Sequence, residues 1–214
     1  MEFEEWDVYY RQIIEDFGYS REEDERSARI LDGALRGTRI DPEELRSLFG
    51  GKEVTIAGNA PGLADQLTAV PHPIVAADEA TSVLRAKGIR PDVIVTDLDG
   101  NVEDQIAANR DGTVAVIHAH GDNIPAVERW APRFTGRVLA TTQSRPFGRI
   151  HNFGGFTDGD RAAFLADHLG AESLLLLGFD FENPSPKDED HETKKRKLDW
   201  AYILIQTLDA SEYE

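Results

Sequence analysis

The first fifty positions carry hydrophobic residues at helical spacing. Aromatic and aliphatic side chains recur on one face over residues 6–17, and Ser20 followed by Glu23 is typical of a capped second helix. An Asp-Pro pair then predicts a short third helix over residues 43–49. We therefore predict an N-terminal helical segment, residues 1–50, whose aromatic face packs against the rest of the chain.

The pattern changes at residue 51, where short apolar runs begin to alternate with stretches of helical length. Continuous Val, Ile and Leu runs separated by helices are typical of a parallel sheet covered on both faces. We therefore predict an α/β catalytic domain over residues 51–214, with a mostly parallel open sheet flanked by helices and a last helix over about 194–208. The six apolar runs are residues 54–57, 74–77, 93–96, 113–118, 137–142 and 173–178.

Composition narrows the classes of partner and compartment. The chain has 214 residues, a formal net charge of −17 and no cysteine, so nucleic acid and anionic membranes are disfavoured and disulfides are excluded. Its start lacks the pattern of a signal peptide and its apolar runs are too short to cross a bilayer, so we expect a soluble cytoplasmic protein. Because 17 of the 23 basic residues are arginine, this acidic composition resembles that of halophilic archaeal proteins, with an ordinary acidic protein as the alternative.

Polar motifs follow each of the six predicted strands. The carboxyl ends of parallel strands meet at one edge of a sheet, and open α/β sheets bind ligands there. Six motifs at that edge therefore predict a ligand site rather than a solvated surface. The residues concerned are Gly58 and Asn59, Asp78, Asp97 and Asp99, His120 with Asp122 and Asn123, Thr142 and Gln143, and Asp180.

The D-x-D motif of Asp97 and Asp99 is the candidate metal site. Two neighbouring carboxylates repel each other, and Mg²⁺ neutralises such a pair while binding substrate phosphate oxygens. We expect Asp78 to bind the same ion or a water on it. The alternative is that both aspartates only form a turn before Gly100, which is a common use of this residue.

Two further motifs leave alternatives open. HAHGDN could hold zinc or manganese, but no third histidine or cysteine ligand is near, so we favour Asp122 and Asn123 lining the pocket. GNAPGL, with Gly58 and Asn59, predicts either phosphate or nucleotide contact or a tight turn, and it is not a Walker A motif.

Basic residues near the predicted edge could bind phosphate. Thr157 can cap a helix whose first turn holds Asp158, Asp160 and Arg161, and an arginine there can bind phosphate through two hydrogen bonds. The carboxylates in that turn also suit the helix dipole, which alone could explain them. The basic run 194–197 follows a polar loop and is expected to act as a lid that brings positive charge to phosphates.

Two stretches resemble thiamine pyrophosphokinase. Residues 76–101 match its pattern of an Ala-Asp pair, a helix, G-x-x-P-D and an acidic motif, although Thr96 replaces a glycine and Gly100 a serine. Residues 157–178 are similar to its later T-D-x-x-K motif, with Arg161 for the lysine. Together, HAHGDN, TTQ, NFGGFTDGDRA and GFDF make residues 51–208 similar to the archaeal 6-hydroxymethyl-7,8-dihydropterin pyrophosphokinase family.

The resemblance implies a thiamine pyrophosphokinase-like fold and transfer of a diphosphoryl group from ATP, with Mg²⁺, to the hydroxymethyl group of a reduced pterin. AMP would leave, and the product would feed tetrahydrofolate or tetrahydromethanopterin synthesis. The resemblance assigns the acidic metal and nucleotide positions to Asp78, Asp97, Asp99 and Asp158, and more loosely a closing helix to Lys194 and Lys197.

Several roles follow from this expectation. Arg161 and the lysines would offset charge on the transferred group, and Asp122 would orient the acceptor hydroxyl. Asp160 or Asp180 would pair with the pterin edge, beside His120, Asn123, Thr142 and Gln143 as substrate-binding candidates.

Other functions and assembly states stay open. The alternatives are thiamine pyrophosphokinase, a metal-dependent nucleotide-sugar glycosyltransferase and a non-catalytic nucleotide-binding module. A homo-oligomer also stays open.

Overall fold

The computed structural model describes residues 1–186 and 190–208, and their core is one parallel sheet with helices on both faces. The sheet order is β1-β6-β5-β4-β3-β2-β8, β7 also pairs with β6, and every pair is parallel. The predicted α/β class and parallel sheet are thereby confirmed. The strands are β1 (Thr38–Arg39), β2 (Glu53–Ala57), β3 (Ile74–Ala77), β4 (Val93–Thr96), β5 (Val114–Ala119), β6 (Arg137–Thr142), β7 (Ile150–His151) and β8 (Ser173–Leu177).

The helices lie in the predicted places, with small changes at their ends. The pattern predicts a fourth helix over residues 63–69, which in the structure ends at Gln66. The last helix begins at His191 rather than near 194, and Asp190 caps it by accepting a hydrogen bond from the amide of Thr193. They are α1 (Phe3–Phe17), α2 (Arg21–Ala34), α3 (Glu43–Phe49), α4 (Leu63–Gln66), α5 (Ala80–Ala86), α6 (Val102–Arg110), α7 (Ile124–Trp130), α8 (Asp158–His168) and α9 (His191–Ile205).

Strand β8 joins the sheet on the opposite side of β2 from the strands that precede it in the chain. Strands β2 to β6 are added one after another in one direction, whereas β8 returns to the other side of β2. The two strands bring Gly58 and Gly178 side by side, and a Cβ atom on Gly58 would lie 2.6 Å from the carbonyl oxygen of Gly178. Glycine is therefore needed here, at the kind of switch point where open α/β sheets bind ligands.

The N-terminal helices are part of the core. Trp6, Tyr10 and Ile13 are fully buried in the same apolar cluster as Val95 and Phe164, so the predicted packing of the aromatic face is confirmed. Each such side chain stabilises the fold by about 1.5–3 kcal/mol. The structure also pairs β1 with β6 in the sheet, while the division at residue 50 stays a prediction, and its second part extends past the described residues to 214.

Candidate active site at the carboxyl edge of the sheet

A cavity of about 440 Å³ opens at the carboxyl edge of the sheet. The ends of β2, β3, β4, β5, β6 and β8 border it, together with the first turn of α8 and one face of α9. Most of the predicted site residues therefore meet in one place. Those that line the cavity are Gly58, Asn59, Asp78, Asp97, Asp99, His120, Gln143, Asp158, Arg161, Asp180, Lys194 and Lys197.

Four aspartates form an acidic cluster on the floor of this cavity. One carboxylate oxygen from each of Asp78, Asp97, Asp99 and Asp158 lies within 4.8 Å of the others. The sequence predicted the first three as metal ligands and assigned Asp158 to nucleotide binding, so its place in this cluster is a finding of the structure. Its place at the N-terminus of α8 brings it over the strand ends.

The loop after β4 holds a conformation that non-glycine residues adopt rarely. Leu98, between the two aspartates of the D-x-D motif, has φ of 72°, in the left-handed region. It is 2% exposed, and its amide donates a hydrogen bond to Thr96 Oγ1 at 2.9 Å. Burial of the leucine and this bond hold a strained turn that presents both carboxylates to the cavity.

Two hydrogen bonds from buried side chains hold Asp78 in place. Thr96 Oγ1 and Gln105 Nε2 each donate to its Oδ1 at 2.7 Å. Its other oxygen, Oδ2, lies so close to Gly100 that a Cβ atom there would be 2.0 Å away. The glycine of the DLDG motif is therefore needed because Asp78 fills the space that a side chain would occupy.

Burial and neighbouring groups displace the pKa values of the four carboxylates in opposite directions. Burial and the charge of Asp97 raise the pKa of Asp99 to about 8, and the same two causes raise the pKa of Asp78 and of Asp158. For Asp97, burial would raise the pKa, but the hydrogen bond to His120 and the electrostatic interaction with it outweigh burial and the pKa falls. Asp97 thus carries the most stable negative charge of the cluster.

The residues fit a hard divalent cation. Asp97 Oδ1 is buried and accepts no hydrogen bond from the described residues, so a carboxylate oxygen is left for another ligand. The cluster offers only carboxylate oxygens, which Mg²⁺ and similar ions prefer, and no soft ligand. The structure contains two neighbouring histidines in the HAHGDN motif, but among the described residues the grouping that could hold a metal is the four aspartates.

Arg161 is the buried cation beside the cluster. It is 7% exposed, and its guanidinium donates to Asp158 Oδ1 at 3.2 Å and to Gln143 Oε1 at 3.3 Å. Its Nε–H has no acceptor among the described residues. The arginine is therefore held at the wall of the cavity in an orientation set by Asp158 and Gln143.

The histidines of HAHGDN have different surroundings. His120 lines the cavity, with its Nε2 at 3.3 Å from Asp97 Oδ2. His118 is buried below, with Nδ1 at 3.0 Å from Thr141 Oγ1, and burial and the charge of Arg161 lower its pKa. Asn123 ties the motif together because its amide donates to the backbone oxygens of Asp97 and His118, both at 2.8 Å.

Four predicted site residues do not line the cavity. Asp122 is exposed on a 3-10 turn, Asn123 is buried in the bonds just described, and Thr142 is buried beside Ser144. Asp160 is fully buried, and its carboxylate accepts hydrogen bonds from the amides of Phe156 and Thr157. It thus completes the N-terminal cap of α8. The ligand-binding roles of these residues stay predictions to which the cavity lends no support.

Aromatic side chains around the cavity were not predicted as part of the site. Tyr19 and Phe156 line one part of it and Phe179 and Phe181 another. Their ring centroids lie 6.4 Å apart in the first pair and 5.6 Å in the second. The motifs NFGGFTDG and GFDF contain three of the four, so the phenylalanines next to the acidic residues were the available signal.

Fold and site together define a class of protein: a parallel α/β enzyme with an acidic, arginine-flanked cavity at the carboxyl edge of its sheet. The model of the 6-hydroxymethylpterin diphosphokinase MptE-like family matches residues 35–185. The chain belongs to this family, and the predicted resemblance is confirmed.

Curated relatives agree over almost the whole chain. Those from Methanothermobacter thermautotrophicus (strain Delta H) and Pyrococcus furiosus are each 42% identical and cover 98% and 97% of this chain, and 96% and 94% of their own. The relative from Methanocaldococcus jannaschii is 35% identical over 97% of this chain and 96% of its own. All three are named 6-hydroxymethyl-7,8-dihydropterin pyrophosphokinase.

Among solved structures, the MAf glycosyltransferase of Magnetospirillum magneticum AMB-1 aligns with a TM-score of 0.49 and 19% identity. The alignment covers 91% of this chain and 36% of the glycosyltransferase. A likeness at this level carries no conclusion about function.

Proposed function

We propose that the protein transfers the diphosphoryl group of ATP to the hydroxymethyl group of 6-hydroxymethyl-7,8-dihydropterin. The hydroxymethyl oxygen attacks the β-phosphorus, the bond from this phosphorus to the oxygen shared with the α-phosphate breaks, and AMP leaves. The product is the pterin diphosphate, an intermediate on a route to tetrahydrofolate or tetrahydromethanopterin.

The observation that carries the proposal is the four-aspartate cluster beside a buried arginine, in a chain whose relatives bear this name. Phosphoryl-type transfer needs positioning and charge neutralisation more than covalent catalysis. Carboxylates that would only repel an anionic substrate make sense when a cation sits between them and the phosphates.

A divalent ion, in our proposal Mg²⁺, would be held by Asp78, Asp97, Asp99 and Asp158 and would neutralise phosphate oxygens of ATP. Arg161 would stabilise negative charge on the transferred group from its fixed place at the start of α8. Lys194 and Lys197, on the face of α9 that lines the cavity, would bind further phosphate oxygens.

The remaining cavity walls suit two flat heterocycles. Gly58 and Asn59 approach the cavity at the β2–β8 switch point, where backbone can come close to phosphate or nucleotide. The aromatic pairs at either part of the wall offer apolar faces for adenine and for the pterin. Asp180 is a candidate partner for the guanidine-like edge of the pterin, beside His120 and Gln143 as further substrate contacts.

The proposal includes partners and location. The partners are the two small-molecule substrates, and we expect a cytoplasmic enzyme, for which the oligomeric state is to be measured. No helix among the described residues is both long and apolar enough to cross a membrane.

The test is release of AMP from ATP in the presence of Mg²⁺ and one acceptor at a time. We expect turnover with the dihydropterin and none with thiamine, and a product heavier than the acceptor by one diphosphoryl group. Turnover of a nucleotide sugar without ATP consumption, or a preference for thiamine, would refute the proposal.

Asp97→Asn tests the role of the cluster. It removes the charge that holds the cation and should lower kcat by about 100-fold or more. The matched control is Asp111→Asn, an exposed aspartate at the end of α6, for which we expect wild-type rates. Activity of Asp97→Asn within a few-fold of wild type would show that the cluster has another role.

A further inference from the structure

Asp24 is a buried carboxylate that lies outside the cavity and outside residues 35–185. It is 2% exposed on α2, although Glu22, Glu23 and Arg26 around it are exposed. Its side chain accepts hydrogen bonds from Tyr10 Oη at 2.6 Å, from the amide of Gly121 at 2.7 Å and from Gln143 Nε2 at 2.8 Å. These three donors are neutral, and a buried carboxylate with neutral partners is costly to the fold.

Two of the three donors belong to the loops that form the active site. Gly121 directly follows His120, whose ring lies against Asp97. The helix and this loop approach so closely that a Cβ atom on Gly121 would lie 2.8 Å from Cβ of Glu23. Ser27, one turn further along α2, adds a hydrogen bond to Asn123 Oδ1 at 3.1 Å. One face of α2 therefore holds the second half of the HAHGDN motif through Gly121 and Asn123.

The third donor sets the orientation of an amide. Because Gln143 Nε2 donates to Asp24, the other atom of the amide, Oε1, must face Arg161, and it lies 3.3 Å from a guanidinium nitrogen. A carboxylate can only accept hydrogen bonds, so it permits one orientation of the glutamine. Asp24 thus determines, through the side chain of Gln143, which atom faces Arg161.

We propose that Asp24 is a positioning residue, which holds His120 and Arg161 in place around the acidic cluster through Gly121 and Gln143. It does not line the cavity itself and acts on the site only through residues that do, Gln143 among them. A structural role alone would need only a side chain that fills the space and satisfies its neighbours. The proposal requires that the accepting character of the carboxylate sets the direction of Gln143.

The variant Asp24→Asn separates these roles with little change of shape. Asparagine can still accept the hydrogen bond from Gly121, but its amide must donate toward Tyr10 and Gln143. Gln143 then turns over and points its own NH₂ at Arg161, so two donors face each other. We expect kcat to fall by up to about 100-fold, because small misplacements of catalytic groups have effects of this size. The KM for ATP should stay within about threefold, since the variant replaces no side chain that we place against ATP.

The matched control is Tyr10→Phe, which removes the second donor to Asp24 Oδ2 and leaves the bonds from Gly121 and Gln143. It should keep kcat within about twofold of wild type. The double variant Asp24→Asn/Gln143→Glu exchanges the amide and the carboxylate. The new amide at position 24 can then donate to position 143, whose second oxygen again accepts from Arg161, so we expect at least a partial return of kcat.

A second readout does not depend on the reaction. The NMR signal of the Arg161 Nε–H, assigned by its loss in Arg161→Lys, should shift in Asp24→Asn, stay in place in Tyr10→Phe and return toward wild type in the double variant. The kinetic arm rests on the function proposed above, whereas this signal does not. An inactive wild type would therefore refute that function, and the NMR result would still decide on Asp24.

Three outcomes would overturn the proposal. One is a wild-type kcat and an unchanged Arg161 signal in Asp24→Asn. Another is an equal loss of kcat in Tyr10→Phe, which would indicate a general packing role. The third is a double variant that folds but does not recover the Arg161 signal, because the exchange restores every hydrogen bond that the proposal requires.

Discussion

Removal of one charge from the acidic cluster should stabilise the metal-free protein. Asp99→Asn is the informative change, because Asp99 keeps contact with solvent and its replacement leaves little buried surface disturbed. The four ligand atoms lie within 4.8 Å of one another, and at that separation two full charges repel by about 1 kcal/mol in the dielectric of water. We use the water value because solvent screens this partly exposed group. About 1 kcal/mol corresponds to a gain of roughly 2–4 °C in Tm for a chain of this size.

The gain in stability of Asp99→Asn should depend on pH, and the raised pKa of Asp99 determines the direction of that dependence. The pKa of Asp99 is raised from 3.8 to about 8 in the folded protein by burial and the charge of Asp97. Between these two values the folded state holds a proton that the unfolded state has lost, so stability falls as the pH rises through this window. At pH 5 the folded wild type has a neutral Asp99, and the variant should gain little. At pH 9 Asp99 is ionised beside Asp97, and the variant should show its full gain.

The assay is thermal unfolding in EDTA at pH 5 and pH 9, followed by the same measurement with added Mg²⁺. In EDTA the difference in Tm between Asp99→Asn and wild type should be larger at pH 9. With Mg²⁺ the order should reverse, since a ligand that binds the folded state stabilises it according to its affinity and the variant has lost a ligand. Asp111→Asn should show neither effect. An Asp99→Asn variant that is no more stable at pH 9 than at pH 5, relative to wild type, would refute the electrostatic argument.

Two further predictions concern the stability of the whole fold. Trp6→Ala should lower the free energy of unfolding by about 3–5 kcal/mol, because Trp6 is fully buried and its Nε1 donates to the backbone oxygen of Gln143 at 2.8 Å. Val8→Ala, on the exposed side of the same helix, should change it by less than about 0.5 kcal/mol, and urea unfolding of both variants tests the difference. With a net charge of −17, the protein should also show a higher Tm at about 1 M KCl than at about 0.1 M, as the screening length falls from about 10 Å to about 3 Å. A Tm that falls with salt would contradict the halophilic interpretation.

The parts of the fold that could be predicted are those with a strong local signal. The helical patterns over residues 102–110 and 124–130 predict both ends of α6 and α7, and the six predicted strands agree with the structure to within one residue at each end. Strands β1 and β7 have two residues each, too few for an apolar run, and their place in the sheet comes from pairing with β6. The strand order likewise depends on long-range contacts that no local pattern contains.

The aspartates of the site show where the pattern alone is insufficient. Asp97 and Asp99 are two apart in the turn after β4, where the left-handed backbone of Leu98 lets both carboxylates reach the cluster. Asp158 and Asp160 are also two apart but lie on a helix, where two residues span about 200°. One therefore faces the cavity while the other is buried in the cap of α8. The capping-box spacing of Thr157 and Asp160 was the signal that could have separated them.

Asp24 was beyond prediction for a related reason. It lies in an acidic, lysine-free stretch of α2, where a carboxylate is normally solvated, and its burial follows only from the way in which α2 crosses the HAHGDN loop.

The stability of the fold does not explain why four carboxylates lie together in the acidic cluster. Three of its four carboxylates have raised pKa values, and the buried cation bonded to it among the described residues, Arg161, contacts Asp158 alone. The chain also holds Leu98 in a strained conformation that presents two of these charges. Both features work against the fold in the absence of a ligand, and both turn favourable once a cation is bound. Repulsion between charges and backbone strain, both unfavourable to folding, are expected where the function of a site determines how its residues are arranged. The same logic applies to Asp24, another buried carboxylate that is costly to the fold and that sets the orientation of Gln143 toward Arg161.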